Sequence, residues 1–173
     1  MTNESLMIVF IMAIVAFLVF YVIGKYNENK TFLSKVETKW DDIYKVIKEE
    51  LELMIKYANI LKEEVQTEEI VCNDILLIIN SYKNIDDVNE LINNYSKIEN
   101  CYEKFTIIYN NHKLSKTKKI KEMQEELNNL VSKIEYGREI YNNELNNYYS
   151  DTTKFISNLI CKVFKFKRYN IFK

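Results

Sequence analysis

Residues 36–65 read VETKWDDIYKVIKEELELMIKYANILKEEV, and the spacing of their apolar side chains decides the fold class. Successive members of one apolar set lie three or four residues apart: Val36, Trp40, Ile43, Ile47, Leu51, Met54, Ala58, Leu61 and Val65. Because an α-helix has 3.6 residues per turn, this spacing predicts one continuous apolar stripe along one face of a long helix. Such a helix is stable in water only when its stripe is buried against other helices.

A second stripe follows the same rule in the C-terminal half of the chain. Its members are Met123, Leu127, Leu130, Ile134, Gly137, Tyr141, Leu145, Tyr148, Thr152, Phe155 and Leu159. Between the stripes we predict a helix over residues 68–82 and another from Val88 to about Asn110, since Asp87 and Glu90 have the spacing of a capping box. Four helices joined by short polar loops predict an all-α fold, an antiparallel up-and-down four-helix bundle. If the break near Asn84 is only a kink, the bundle has three helices.

The composition excludes several other classes of protein. The 173 residues include two glycines and no proline. Hairpin turns and phosphate-binding loops depend on glycine, so a sheet protein is disfavoured and a Gly-rich nucleotide loop is excluded. A formal net charge of −1 argues against nucleic-acid binding, since such domains are usually strongly basic. Three widely spaced cysteines fit neither a disulfide framework nor a zinc site.

The segment 6–23 reads LMIVFIMAIVAFLVFYVI and contains no charged side chain. As a helix it is about 27 Å long, close to the ~30 Å thickness of a bilayer's hydrocarbon core. No basic residue precedes it and no small-residue cleavage site follows it, so we predict an uncleaved membrane anchor rather than a signal peptide. The residues predicted to contact the membrane include Leu6, Phe10, Phe17, Phe20 and Ile23.

Lysine placement predicts the orientation of this anchor. Lys25, Lys30, Lys35 and Lys39 follow the span, and no Lys or Arg precedes it. The positive-inside rule then places the N-terminus outside and the bundle in the cytoplasm; an extracytoplasmic bundle is the alternative. The predicted organisation is a short extracytoplasmic segment (1–5), a transmembrane helix (6–23), a helical bundle domain (26–161) and a basic-aromatic tail (162–173).

The predicted tail carries five basic and no acidic residues, interleaved with aromatic residues and Ile. Near an anionic inner leaflet, such a segment binds lipid with about 1 kcal/mol per basic residue close to the surface. The candidate lipid contacts are Lys162, Lys165, Lys167, Arg168 and Phe172. The alternative is that the phenylalanines pack on the bundle and the lysines are solvated.

Residues that could carry chemistry are few. His112 is the only histidine, so the metal sites built from paired histidines are excluded. The adjacent carboxylates Asp41-Asp42 and Glu49-Glu50 are better explained as a solvated helix face than as a proton-sharing or cation-binding pair. We therefore expect no catalytic residue, no metal, no cofactor and no small-molecule substrate.

Arg138, Tyr141 and Asn142 are the candidate interaction residues. They follow Gly137, which lies on the second stripe, where the lack of a side chain lets two helices approach closely. One interpretation is that they contact a ligand or a partner. The other is that Arg138 pairs with a carboxylate on its own helix or on a neighbouring one and sets the register of the bundle.

Both ends of the chain contain a specific combination of residues: the N-terminal span, Val36, Trp40 and Ile43, and a C-terminal stretch that includes Gly137-Arg138, Tyr141-Asn142, Tyr148, Phe155, Phe164, Phe166 and Phe172. This combination resembles the LemA family, although Lys165 stands where the family usually has glycine. It implies a bacterial, membrane-anchored protein with an antiparallel helical bundle and an outside N-terminus, and it implies no activity. We expect a single-pass membrane protein that is a non-enzymatic interaction or scaffold protein with an unknown protein partner; an anionic-lipid-binding module is the alternative.

Overall fold

The structure, a computed structural model, describes residues 3–114 and 118–173. Regular structure in these two ranges is entirely helical, as the sequence predicts. The helices are α1 (Asn3–Glu64), α2 (Glu69–Tyr82), α3 (Val88–Asn111), α4 (Lys118–Thr152) and α5 (Phe155–Val163), with a 3₁₀ turn at Gln66–Glu68. Residues 1 and 2 of the predicted N-terminal segment and residues 115 and 116 of the predicted loop after α3 lie outside the described residues.

Helix α1 contains both the apolar segment and the first stripe in 62 uninterrupted residues. In the described part of the chain it is the one helix long and apolar enough to cross a membrane, and none of its apolar segment is buried. Gly24 lies inside this helix. All nine members of the first stripe, from Val36 to Val65, are buried, which confirms the stripe.

Contacts between α-carbons divide the chain into two compact units. The first unit comprises Met1–Glu37 and Asn143–Arg168, and the second comprises Thr38–Asn142 and Tyr169–Lys173. α1 and α4 therefore contribute residues to both units.

In the second unit, α1 packs against α3 and α4. The Tyr57 and Phe105 ring centroids are 5.0 Å apart, and the Tyr57 hydroxyl donates to Gln124 Oε1 at 2.9 Å. At Gly137 the backbone of α4 lies so close to α1 that an added Cβ would stand 2.7 Å from Ile43 Cγ1. Glycine is therefore required for this close approach, as the stripe predicts.

The break between α2 and α3 is real, so the kinked three-helix alternative is wrong. α2 ends at Tyr82 and α3 begins at Val88. Asp87 is the N-cap residue of α3, and its side chain accepts a hydrogen bond from the Glu90 N–H at 2.8 Å. That bond satisfies one of the free amide groups at the start of the helix.

In the first unit, the second stripe ends earlier than the spacing predicts. Its members as far as Thr152 are buried, apart from the half-buried Met123 and Gly137, but Phe155 is 85% exposed and Leu159 is 56% exposed. The chain turns at Thr153 and Lys154, and the extended backbone of Lys154 (ψ 142°) starts α5 with a different face buried. The assignment of Phe155 and Leu159 to a buried stripe is therefore wrong.

Helix α5 ends without the glycine that such an end usually has. Lys165 adopts φ of 53°, in the left-handed region that favours glycine. The Phe166 N–H then donates to the Cys161 carbonyl at 3.0 Å, a bond that closes the helix end. A lysine in this conformation costs the folded state some free energy relative to glycine.

Candidate functional site: the tail site

The last five residues, Tyr169–Lys173, and the side chains of the second unit that bind them form what we call the tail site. Asn142 binds the backbone of Phe172 twice, because its Nδ2 donates to the Phe172 carbonyl at 2.7 Å and its Oδ1 accepts from the Phe172 N–H at 2.9 Å. The Tyr141 hydroxyl donates to the Asn170 carbonyl at 3.0 Å. Two of the three candidate interaction residues thus hold the chain's own tail.

Helix α3 supplies the other polar contacts of the tail site. Asn89 Oδ1 accepts from the Asn170 N–H at 2.7 Å, and Asn93 Oδ1 accepts from Asn170 Nδ2 at 3.1 Å. The tail has no regular secondary structure, so its backbone groups need side-chain partners of this kind.

Phe172 is the apolar centre of the tail site. Its ring is 1% exposed and lies 5.0 Å from Tyr95 and 6.0 Å from Trp40, measured between ring centroids. The guanidinium carbon of Arg138 stands 4.6 Å from the Phe172 centroid, which is within cation–π range. Because the ring is enclosed on these sides, Phe172 offers no surface to lipid, contrary to its expected role as a lipid contact.

Arg138 pairs across to α3, since its Nη2 donates to Glu99 Oε1 at 2.5 Å. The structure thus agrees with the interpretation in which this arginine pairs with a carboxylate on a neighbouring helix. The same side chain lies over the Tyr95 ring, 5.5 Å from its centroid. Arg138, Tyr141, Asn142 and Phe172, which the sequence placed in two separate sets, therefore belong to one site.

Glu50 is a buried carboxyl beneath this site, so its assignment to a solvated helix face is wrong. Its exposed fraction is 0%, and its Oε2 accepts from the Tyr95 hydroxyl at 2.9 Å. Burial raises the pKa of Glu50 to about 7; the hydrogen bond from Tyr95 opposes this, the charge of Glu99 adds to it, and the charge of Arg138 opposes it. The site therefore contains a group that changes charge near neutral pH.

The spacing of the first stripe contained a signal for Glu50. It lies three residues after Ile47 and four before Met54, so it shares their helix face. A charged residue at a stripe position indicates a buried polar contact. Nothing in the sequence identifies Tyr95 and Glu99 as the partners of Glu50 and Arg138, because these contacts join residues of different helices.

Four of the five basic residues in segment 162–173, at positions 162, 165, 167 and 168, lie in the first unit. Lys162, Lys165 and Arg168 line a cavity of about 380 Å³, together with Tyr148, Tyr149 and Thr152. Lys167 does not line it, and its Nζ lies 4.0 Å from Glu37 Oε1. Three of the five candidate lipid contacts are therefore brought together.

The remaining candidate residues are the apolar residues of the span, the three cysteines and His112, and of these Cys161 also lines the cavity. The candidate membrane contacts Leu6, Phe10, Phe17, Phe20 and Ile23 are all exposed on α1. Cys72, Cys101 and Cys161 are free and buried, and burial raises the pKa of each thiol, which disfavours the reactive thiolate. His112 Nε2 lies 3.0 Å from Glu68 Oε1.

Comparison with known proteins adds one match. The model of a family described as the LemA family matches residues 39–173. This range includes the whole tail site and α5. No curated protein and no solved structure matches the chain.

Proposed function

Because the chain belongs to the LemA family, we propose that it is a single-pass protein of the bacterial cell membrane whose helical domain binds other proteins and catalyses no reaction. The observation that carries this proposal is the continuity of α1. Its apolar part is exposed throughout, and the same helix continues to the buried stripe that begins at Val36. Burial in lipid accounts for an apolar surface of this length better than exposure to water does.

The proposed domain is an antiparallel up-and-down four-helix bundle. Along α1, Trp40 meets Tyr141 with ring centroids 5.7 Å apart, and farther on Tyr57 meets Gln124. From position 40 to position 57 of α1, the partner on α4 therefore moves back from position 141 to position 124. This order supports opposite directions for these two helices. Opposite directions are what this topology requires of its first and last helices.

The proposed orientation places the N-terminus outside and the bundle in the cytoplasm. It is supported by the four lysines at positions 25, 30, 35 and 39, which follow the apolar segment directly.

The proposed partner surface is on α2. Ile70 is 76% exposed and Leu77 is 72% exposed, and their spacing of seven residues puts them on one helix face. Exposed apolar residues on one face are the usual anchors by which a second helix is recognised. The tail site is less suitable for a partner, because Arg138, Tyr141 and Asn142 already bind residues of this chain.

Photo-crosslinking in living cells tests the proposed protein-binding role. A photoreactive amino acid replaces Ile70 or Leu77, with Glu125, an exposed residue of α4, as the matched control position. We expect a discrete protein adduct from the α2 positions, identified by mass spectrometry, and none from Glu125. Adduct patterns that are the same at all three positions would count against a specific surface on α2.

A second candidate function, anionic-lipid binding, is favoured by the cavity lined by Lys162, Lys165 and Arg168. Three cationic side chains around one cavity suit a phosphate headgroup. Native mass spectrometry of the full chain, purified in detergent with phosphatidylglycerol, measures retained lipid. We expect substitution of all three residues by Gln to abolish retention, whereas Gln at the exposed lysines 118, 119 and 121 leaves it intact. Equal retention in both variants would exclude this cavity.

A further inference from the structure

Helix α5 lies beside the part of α1 that directly follows the apolar segment. The Tyr26 ring contacts the Phe164 and Phe166 rings at tilted angles, with centroid distances of 4.7 and 5.4 Å. Asn29 Nδ2 lies 3.4 Å from both the Ser157 carbonyl and Cys161 Sγ. All of these residues belong to the first unit, so their contacts place α5 within one compact body.

These contacts set the depth of α5 relative to the apolar segment. Tyr26 lies three residues and Asn29 six residues beyond Ile23, which is a rise of about 4.5 and 9 Å along the helix axis. If residues 6–23 span the hydrocarbon core, Tyr26 lies within the headgroup layer, which is about 5–7.5 Å thick on each side, and Asn29 lies at its outer edge. Asn29 contacts α5 itself, at Ser157 and Cys161, and Tyr26 contacts the residues that directly follow α5, so the helix and its C-terminal end lie near this level.

The outer face of α5 is apolar. Phe155, Leu159 and Val163 follow one another at intervals of four residues, and each is more than half exposed. Ile156 and Phe164 extend this face and are also exposed. The opposite face, formed by Ser157, Ile160 and Cys161, is buried.

We propose that α5 is an interfacial helix whose apolar face enters the lipid surface next to the transmembrane segment. The proposal rests on the proposed membrane anchoring of α1. The helix has the composition of a membrane-surface helix, with Phe, Leu and Val on one face and basic residues at its ends, Lys154 before it and Lys162 in its last turn.

Lipid fits this face better than a protein partner does for two reasons. Helix α5 packs beside the residues of α1 that follow the apolar segment, so its apolar face is close to the bilayer in every anchored molecule. The residues that follow the helix, Lys165, Lys167 and Arg168, suit an anionic leaflet. The apolar face and the basic residues therefore favour the same occupant.

Spin-label depth measurements on the full chain in phosphatidylethanolamine–phosphatidylglycerol vesicles test the proposal. Single cysteines replace Phe155 or Leu159 on α5, Phe17 inside the span, and Leu77 on α2, which is an equally exposed apolar position. The three native cysteines are buried, so the label reacts with the introduced thiol. Circular dichroism and Trp40 fluorescence verify that each labelled chain is folded.

We expect the ratio of oxygen to nickel-chelate accessibility at Phe155 and Leu159 to exceed that at Leu77 severalfold and to lie below that at Phe17. Ratios at Phe155 and Leu159 that match Leu77 while Phe17 reports lipid would overturn the role of α5 and leave the anchor intact. A water-like ratio at Phe17 as well would overturn the anchor itself. Labels on α5 that neither reagent reaches would show a protein cover, which also overturns the proposal.

Discussion

Replacement of Glu50 by Gln should change the free energy of unfolding more favourably at alkaline pH than at acid pH. The folded protein raises the pKa of this buried carboxyl from 4.5 to about 7. A group with a raised acid pKa destabilises the fold when it is ionised, so the penalty is absent below the unfolded value and complete above the folded value. The affected window therefore lies between pH 4.5 and about pH 7.

The size of the effect follows from that difference. One pKa unit is worth about 1.4 kcal/mol, so full ionisation costs the folded state about 3 kcal/mol. Gln keeps the acceptor for the Tyr95 hydroxyl but brings an amide N–H₂ group to Oε1, which makes no hydrogen bond to the described residues. An unsatisfied amide costs about 1–3 kcal/mol at any pH. The difference in free energy of unfolding between Glu50→Gln and the native chain should therefore change by about 3 kcal/mol between about pH 4 and about pH 8. This change is the decisive quantity.

Urea unfolding of the full chain in nonionic detergent measures this quantity through Trp40, the single tryptophan. Its indole is 5% exposed and contacts Phe172, so unfolding changes its fluorescence. Glu49→Gln is the matched control, because Glu49 is the exposed neighbour. An effect of Glu50→Gln that is the same at both pH values would refute the raised pKa and the burial that causes it.

Three further substitutions test the packing by the same unfolding assay. Phe172→Ala should lower the free energy of unfolding by about 3–5 kcal/mol, while Ile171→Ala, at a half-exposed neighbour, changes it by less than ~0.5 kcal/mol; similar losses in both would contradict a buried Phe172. Gly137→Ala should lower the free energy of unfolding by about 1–2 kcal/mol because the new methyl group meets Ile43. Ile43→Ala in the same chain should relieve part of this loss. If the effects of the two substitutions were strictly additive, that would contradict the close approach. Lys165→Gly should stabilise by about 0.5–1 kcal/mol, since glycine adopts the left-handed conformation without strain; a loss of stability would contradict that conformation.

The long helices could be predicted because their information is local. Apolar spacing determined the buried face of α1 from Val36 onward, and the Asp87–Glu90 pair located the start of α3. The same rule failed at Phe155. No glycine or proline interrupts the pattern there, and Lys154 turns the chain with ordinary backbone angles, so the sequence carries no signal for the turn.

The tail site could be predicted only in pieces. Arg138, Tyr141 and Asn142 stood out as a candidate set, but their partners come from α3 and from residues 170–172, which no helical period relates to them. The contacts are hydrogen bonds to an irregular backbone, which depend on the folded positions of three segments. Helical periodicity contains no information about such contacts.

Membrane anchoring with a cytoplasmic domain is the central claim, and cysteine labelling in spheroplasts tests it most directly. A membrane-impermeant maleimide is applied to chains carrying Asn3→Cys in the N-terminal turn of α1 or Glu125→Cys in α4; both positions are exposed. We expect Asn3→Cys to react in intact spheroplasts and Glu125→Cys to react only after the membrane is permeabilised. The reverse pattern would contradict the orientation, and reaction of both positions only after permeabilisation would contradict a membrane-spanning α1.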